Sequence, residues 1–184
     1  MKQKQSPRNI RLATLVSVCI ALLSVNARSS SPSAADIDQL KAVFIYNFTK
    51  YITWPDTART TTFKIGVLGN SDILDPLQQL AVKKMINNKP IEVCHFESLS
   101  HLHACQILFI SPSVRVPIPD ILNQLGNQAT LTIGDAPGLC KQGVMINFFQ
   151  QSDMVKFELN PHRLAAAGFQ VSSQLQKLAR IVVE

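Results

Sequence analysis

The run Gln106-Ile107-Leu108-Phe109-Ile110 constrains the fold more than any other stretch of this 184-residue chain. After its first residue it holds no polar side chain, so both faces of an extended strand would be apolar. A strand of that kind belongs inside a parallel sheet covered by helices on both sides, because a sheet with one wet face reads as an alternation. The flanking sequence supplies the rest of such an architecture. Phe63-Lys64-Ile65-Gly66-Val67-Leu68-Gly69 reads as a strand ending in a turn. Pro90 to Phe96 reads as a second strand, reached after Asn87-Asn88, and Leu131-Thr132-Ile133-Gly134 as a fourth. Helical segments separate them: one from Ile73 to Met85, capped by Ser71 or Asp72, and a short one starting at Pro119-Asp120. Strands alternating with helices imply parallel strands joined by right-handed crossovers.

The last third changes habit. Val144 to Phe149 and Val155 to Leu159 flank Gln150-Gln151-Ser152-Asp153 and read as an antiparallel hairpin. Asn160-Pro161 sets an N-cap before a proline at the first helical position, in a helix that should end at Gly168. Ser172 or Ser173 then starts a helix running through Arg180. Ahead of the first strand, Asp36 is placed to cap a helix that Pro55 stops after Trp54. Its residues Leu40, Val43, Phe44, Phe48, Tyr51 and Ile52 form a wide apolar stripe, expected to face the core. Trp54 is expected to be partly buried at the helix exit, with an interface as the alternative. The expected fold is α/β: one compact sandwich over residues 36–184, a mostly parallel sheet with a C-terminal antiparallel hairpin, and helices on both faces.

The first 27 residues read as an export signal. Lys2, Lys4, Arg8 and Arg11 form a basic start without acidic residues, Leu12 to Val25 is apolar or small, and Val25-Asn26-Ala27 suits signal peptidase. A run of 14 residues falls short of the roughly 20 that span a bilayer. Cleavage is expected after Ala27, followed by a disordered spacer over residues 28–35. The whole chain carries +6, with 18 basic against 12 acidic residues, and four of the basic ones lie in this leader. The remainder carries 14 − 12 = +2 with its charges scattered, which gives no footprint for nucleic acid.

Three cysteines follow the leader: Cys94, Cys105 and Cys140. In an oxidising compartment an odd count leaves one thiol over. Cys94 and Cys105, close in sequence, are the candidate disulfide and Cys140 the candidate free thiol, with a Cys105–Cys140 pair as the alternative. His95, His101 and His103 crowd the same window, but their spacing matches no common zinc module, so neither a metal nor a cofactor is expected. Gly66-Val67-Leu68-Gly69-Asn70 lacks the third glycine and the Lys-Ser/Thr pair of a phosphate loop. No Gly-x-Ser-x-Gly elbow is present. Asp135, after the fourth strand, is the best-placed carboxylate for chemistry, and its plainer reading is a turn residue before Ala136-Pro137-Gly138. Asn147, an amide inside an apolar strand, needs partners and is expected to pin the loop before the hairpin. It joins Asn160, Phe44 and Trp54 as a structural or interface candidate. No catalytic residue is assigned.

Six blocks in order resemble the YfiR-like periplasmic proteins. The first is Lys41-Ala42-Val43-Phe44-Ile45-Tyr46-Asn47-Phe48-Thr49-Lys50-Tyr51-Ile52-Thr53-Trp54-Pro55. Ile65 to Gly69, Cys105 to Ile110, Leu131 to Asp135 and Gly143 to Phe148 follow. The last spans Phe157-Glu158-Leu159-Asn160 through Ala167-Gly168-Phe169 to Leu178-Ala179-Arg180. The resemblance implies a compact α/β regulator, found as dimers, that represses an inner-membrane diguanylate cyclase by binding its periplasmic sensor domain, and so lowers cyclic di-GMP. It also implies disulfides, but this chain has no cysteine in the first strand and none paired near Cys140. The competing expectations are a periplasmic small-molecule-binding domain for sensing or uptake, and an exported hydrolase or redox enzyme using Cys140 or Asp135.

Overall fold

A computed structural model describes residues 33–55 and 60–182, so the expected leader and the spacer as far as Pro32 lie outside the described residues. The first described element is helix α1 (Ala34–Tyr51). Ser33 caps it through a reciprocal box: its hydroxyl accepts from the Asp36 amide, and the Asp36 carboxylate accepts from the Ser33 amide at 3.0 Å. Asp36 therefore sits on the third helical residue and not at the cap. The helix takes in Ala34 and Ala35, which were expected in the spacer.

Next come β1 (Ile52–Thr53), β2 (Phe63–Leu68), α2 (Leu74–Lys83), β3 (Met85–Ile86), β4 (Lys89–Phe96) and β5 (Ile107–Ile110). They are followed by α3 (Ile118–Leu125), β6 (Leu131–Gly134), β7 (Ile146–Gln151), β8 (Met154–Leu159) and α4 (Pro161–Ala166). The fold closes with β9 (Gln170–Val171), α5 (Ser173–Leu178) and β10 (Arg180–Ile181). Eight strands form one sheet in the order β10-β8-β7-β6-β5-β2-β4-β3, while β1 and β9 pair separately. Within the large sheet only β3–β4 and β7–β8 are antiparallel. The mixed α/β sandwich is as expected.

The apolar run in β5 has the predicted cause. Ile107 and Phe109 enter a core cluster with Ile45 and Phe48 of α1 and Leu77 of α2, while Leu108 and Ile110 enter a second with Ile121 and Leu125 of α3. One strand thus serves two cores. The hairpin turn is tighter than its sequence suggested: Ser152 and Asp153, both at positive φ, form a two-residue turn, and Gln150 and Gln151 belong to β7. Asn87 and Asn88, also at positive φ, join β3 to β4 in the same way, as asparagine's tolerance of that region permits.

The stripe on α1 departs from expectation. Phe44 and Phe48 pack on Phe148 and Phe157 of the hairpin, with ring centroids 5.0–6.1 Å apart, but Leu40, Val43 and Tyr51 are 43%, 38% and 39% exposed. The buried face runs instead through Lys41, Ala42, Ile45, Phe48, Thr49 and Ile52. Lys41 is inside because a carboxylate distant in sequence meets its ammonium group, and that partner leaves no mark on local periodicity.

Candidate functional site

The parallel strands have two ends, and the potential sites divide between them. From β2 the chain passes to β4 on one side and then to β5 on the other, so the carboxyl ends of β2 and β5 make the crevice where open α/β sheets bind ligands. Here that crevice is filled. Ser111 and Ser113 both donate from their hydroxyls to the carbonyl of Asn70. Gly69 has φ +81°, and a Cβ on it would lie 2.7 Å from Val114 and 2.8 Å from the Ser113 hydroxyl. The glycine turn after β2 is a packed corner.

Farther along the carboxyl edge, Asp135 follows β6 and holds the Lys41 ammonium at 2.6 Å, with Asp38 3.6 Å from the same nitrogen. Burial raises the Asp135 pKa and the Lys41 bond opposes the rise. The pair ties α1 to the end of the sheet. Beside it Gly134, Asn147, Glu158 and Arg180 stand in register across four strands. Buried Asn147 accepts from the Ala136 amide and donates to Glu158, both at 3.4 Å. Glu158 pairs with Arg180, whose guanidinium covers the Phe149 ring at 4.0 Å. Asn160 is fully buried: its side-chain nitrogen donates to the Cys140 carbonyl at 2.9 Å, and its oxygen caps α4 by accepting from the Arg163 amide. Asn160 thereby fixes the 3₁₀ turn Leu139–Gln142 that precedes the hairpin.

All three cysteines are free thiols in the structure, so the expected Cys94–Cys105 bond is not formed in it. Both are nevertheless grouped about Gly66. Cys94 pairs with Gly66 across β2 and β4, and the Cys105 sulfur lies 3.2 Å from where a Gly66 Cβ would be. Burial pushes the Cys105 and Cys140 thiols up to about 12, and that of Cys94 upward. Thiols so protonated are poor nucleophiles. The histidines meet protein groups: His95 contacts the Gly69 carbonyl, His101 the Ser98 hydroxyl, and His103 the His101 carbonyl. Among the described residues no three His, Cys, Asp or Glu side chains gather as a metal site would need.

The amino edge is open. A cleft of about 350 Å³ lies there between Trp54, Phe63, Lys89, Gln106 and the Asn127–Gln128 loop. Trp54 is half-buried; its indole N–H donates to the Gln106 carbonyl at 3.2 Å, and its ring meets Phe63 and Phe169 edge-on. Gln106 in turn accepts from the Lys64 amide at 2.6 Å, which fixes the cleft floor. Of these residues only Trp54 was singled out from the sequence. Asn87-Asn88 and Asn127-Gln128 were signals of a kind, since paired amides before strand starts read equally as turns.

The family model described as DUF4154, YfiR/HmsC-like, matches residues 38–180. The chain belongs to this family. Its coarse character follows: a periplasmic regulatory protein. Among the described residues no helix is long and apolar enough to cross a membrane. No curated protein matches the chain. Among solved structures, the ABC domain in complex with L-Trp from Streptococcus pneumonia is similar in fold, with TM-score 0.55 and 9% identity. That match covers 79% of this chain, and the chain spans 60% of that protein's length.

Proposed function

We propose that the chain is exported, loses residues 1–27, and represses or tunes an inner-membrane signalling enzyme such as a diguanylate cyclase by binding its periplasmic sensor domain. The family match over residues 38–180 carries this reading, because it takes in nearly the whole described domain. The absence of an activated nucleophile at Cys140 and the structural engagement of Asp135 are consistent with action by contact. Affinity capture from a detergent-solubilised envelope extract is expected to enrich an inner-membrane sensor or cyclase. Recovery of soluble proteins only would end the proposal. Mass analysis of the captured chain is expected to show an N-terminus at Arg28.

Two subsidiary proposals accompany it. The chain forms a homodimer, which light scattering tests directly. In the oxidising envelope Cys94 and Cys105 join, expelling two hydrogens to an oxidant of that compartment, and Cys140 stays reduced. Non-reducing mass analysis is expected to show a mass deficit of two hydrogen atoms and one alkylatable thiol. A second reading, a small-molecule sensor, is favoured by the Trp54 cleft, whose size lies at the low end of ligand pockets. A thermal-shift screen separates the two, since an occupant of that cleft raises the melting point with its concentration.

A further inference from the structure

Two more clefts open on the amino edge, and they meet at Arg163 of α4. One, of about 320 Å³, lies between α4 and the Asn127–Gln128 loop that leads into β6. The other, of about 390 Å³, has Asn123 of α3 on one wall and Lys141 and Gln142 on the other. Arg163 lines both. Its Nε is enclosed without a hydrogen-bond partner, 3.6 Å from the Cβ position that Gly143, at φ +100°, leaves vacant. Its terminal nitrogens reach solvent and bond no described residue. Neither Arg163 nor Lys141 forms an ion pair among the described residues, and no Asp or Glu lines either cleft.

From this arrangement we infer that the groove running past Arg163 receives an extended acidic peptide segment of the protein partner. The inference rests on the reading of the chain as a regulator that works by contact. A guanidinium held by packing, with its terminal nitrogens free, presents a fork that matches a carboxylate, and Lys141 adds a point charge farther along. Asn123, Asn127, Gln128 and Gln142 each offer a donor and an acceptor, which is what the alternating N–H and C=O groups of an extended backbone require. A lone oxyanion would occupy one cleft and engage only the two cations. The groove instead continues on both sides of Arg163, and at its far end the Asn127–Gln128 loop borders the Trp54 cleft as well. Charge complementarity without a competing internal carboxylate is what selects acidic over neutral segments.

The test uses the exported chain, labelled with ¹⁵N, and two probes: acetyl-(Gly-Asp)₃-amide and acetyl-(Gly-Asn)₃-amide. The acidic peptide is expected to shift the Arg163 Nε–H and the four amide side-chain signals saturably. The neutral peptide, and the acidic peptide on Arg163→Gln, are each expected to bind at least about tenfold more weakly, in keeping with loss of a charge-assisted bond. Arg163→Gln must keep the wild-type spectrum elsewhere, which shows that it is folded. Equal binding of the two peptides, or no shift at millimolar peptide, overturns the inference. So does succinate or phosphate alone reproducing every shift at equal affinity, which would make this a small-anion site only. Retained capture of the membrane protein by an Arg163→Gln, Lys141→Gln variant overturns the groove assignment while leaving the regulatory proposal standing.

Discussion

At the carboxyl edge of the parallel strands, Ser111, Ser113 and Val114 close over Gly69, and Lys41 is drawn inside against Asp135. At the amino edge, Trp54, Lys89 and Arg163 border clefts that remain open. Sheets of this kind ordinarily do the reverse and keep their ligands at the carboxyl crevice. The difference teaches that topology sets where a crevice can form, while the loop residues decide whether it is filled. In this chain a serine-bearing turn fills it, and amide-rich loops leave the opposite edge available.

The comparison breaks first at Gly69. If the corner is packed as described, Gly69→Val forces a β-branched residue to positive φ and drives its methyls into Val114 and Ser113. Strain and overpacking together should cost about 4 kcal/mol in chemical denaturation. A cost below about 1 kcal/mol would mean that the corner yields and the crevice can open.

Next is Asp135→Asn, which strips the buried Lys41 of its nearest partner and leaves Asp38 at 3.6 Å. Breaking such a pair should cost about 3 kcal/mol at neutral pH. Its pH dependence has a definite sign. The folded Asp135 pKa is raised, so just above the unfolded value of 3.8 the folded state binds this proton more readily than the unfolded state does. Its contribution therefore grows as pH falls through the raised value and is lost as pH rises through it. Acidification toward pH 4 should accordingly weaken the wild type less than Asp135→Asn, as urea titrations at several pH values would show. Parallel curves would remove Asp135 from the account.

How far these edges were legible in the sequence depends on how far apart their parts lie. The parallel strands, the hairpin and the caps at Asn160 and Ser172 were readable, because period, turn residues and caps are local signals. The buried face of α1 was not, because Lys41 finds its partner 94 residues away and periodicity counts any lysine as solvated. Likewise β1, β9 and β10 are two residues long and exist only through their pairings. The carboxyl-edge candidates Asp135 and Asn147 were visible as polar residues in apolar surroundings. The amino-edge clefts are assembled from Trp54, Lys89, Gln106, Asn127 and Arg163, which come from separate segments, and only Trp54 stood out within its own. Contrast within a segment betrays a buried polar group, and nothing comparable betrays an open cleft.

A smaller effect is expected at the amino edge itself. Gly126 has φ +57°, but the nearest atom to an added Cβ is 3.9 Å away, so Gly126→Ala meets backbone strain without a collision. The cost should be about 2 kcal/mol, roughly half that at Gly69. Equal costs at the two glycines would erase the distinction between a packed and an open edge.

The smallest expected effect sharpens the comparison most. Arg163 lends no ion pair to the described fold and encloses an Nε without a partner, so its removal should relieve a desolvated donor while losing some packing against Gly143. These oppose each other, and Arg163→Gln should change stability by no more than about 0.5 kcal/mol, the range of ordinary surface substitutions. Thermal and urea unfolding check this directly. A large loss would make Arg163 part of the frame, like Asp135 at the other edge. A neutral result leaves a half-buried cation whose position is not explained by stability, which is how a residue held for contact with another molecule should behave.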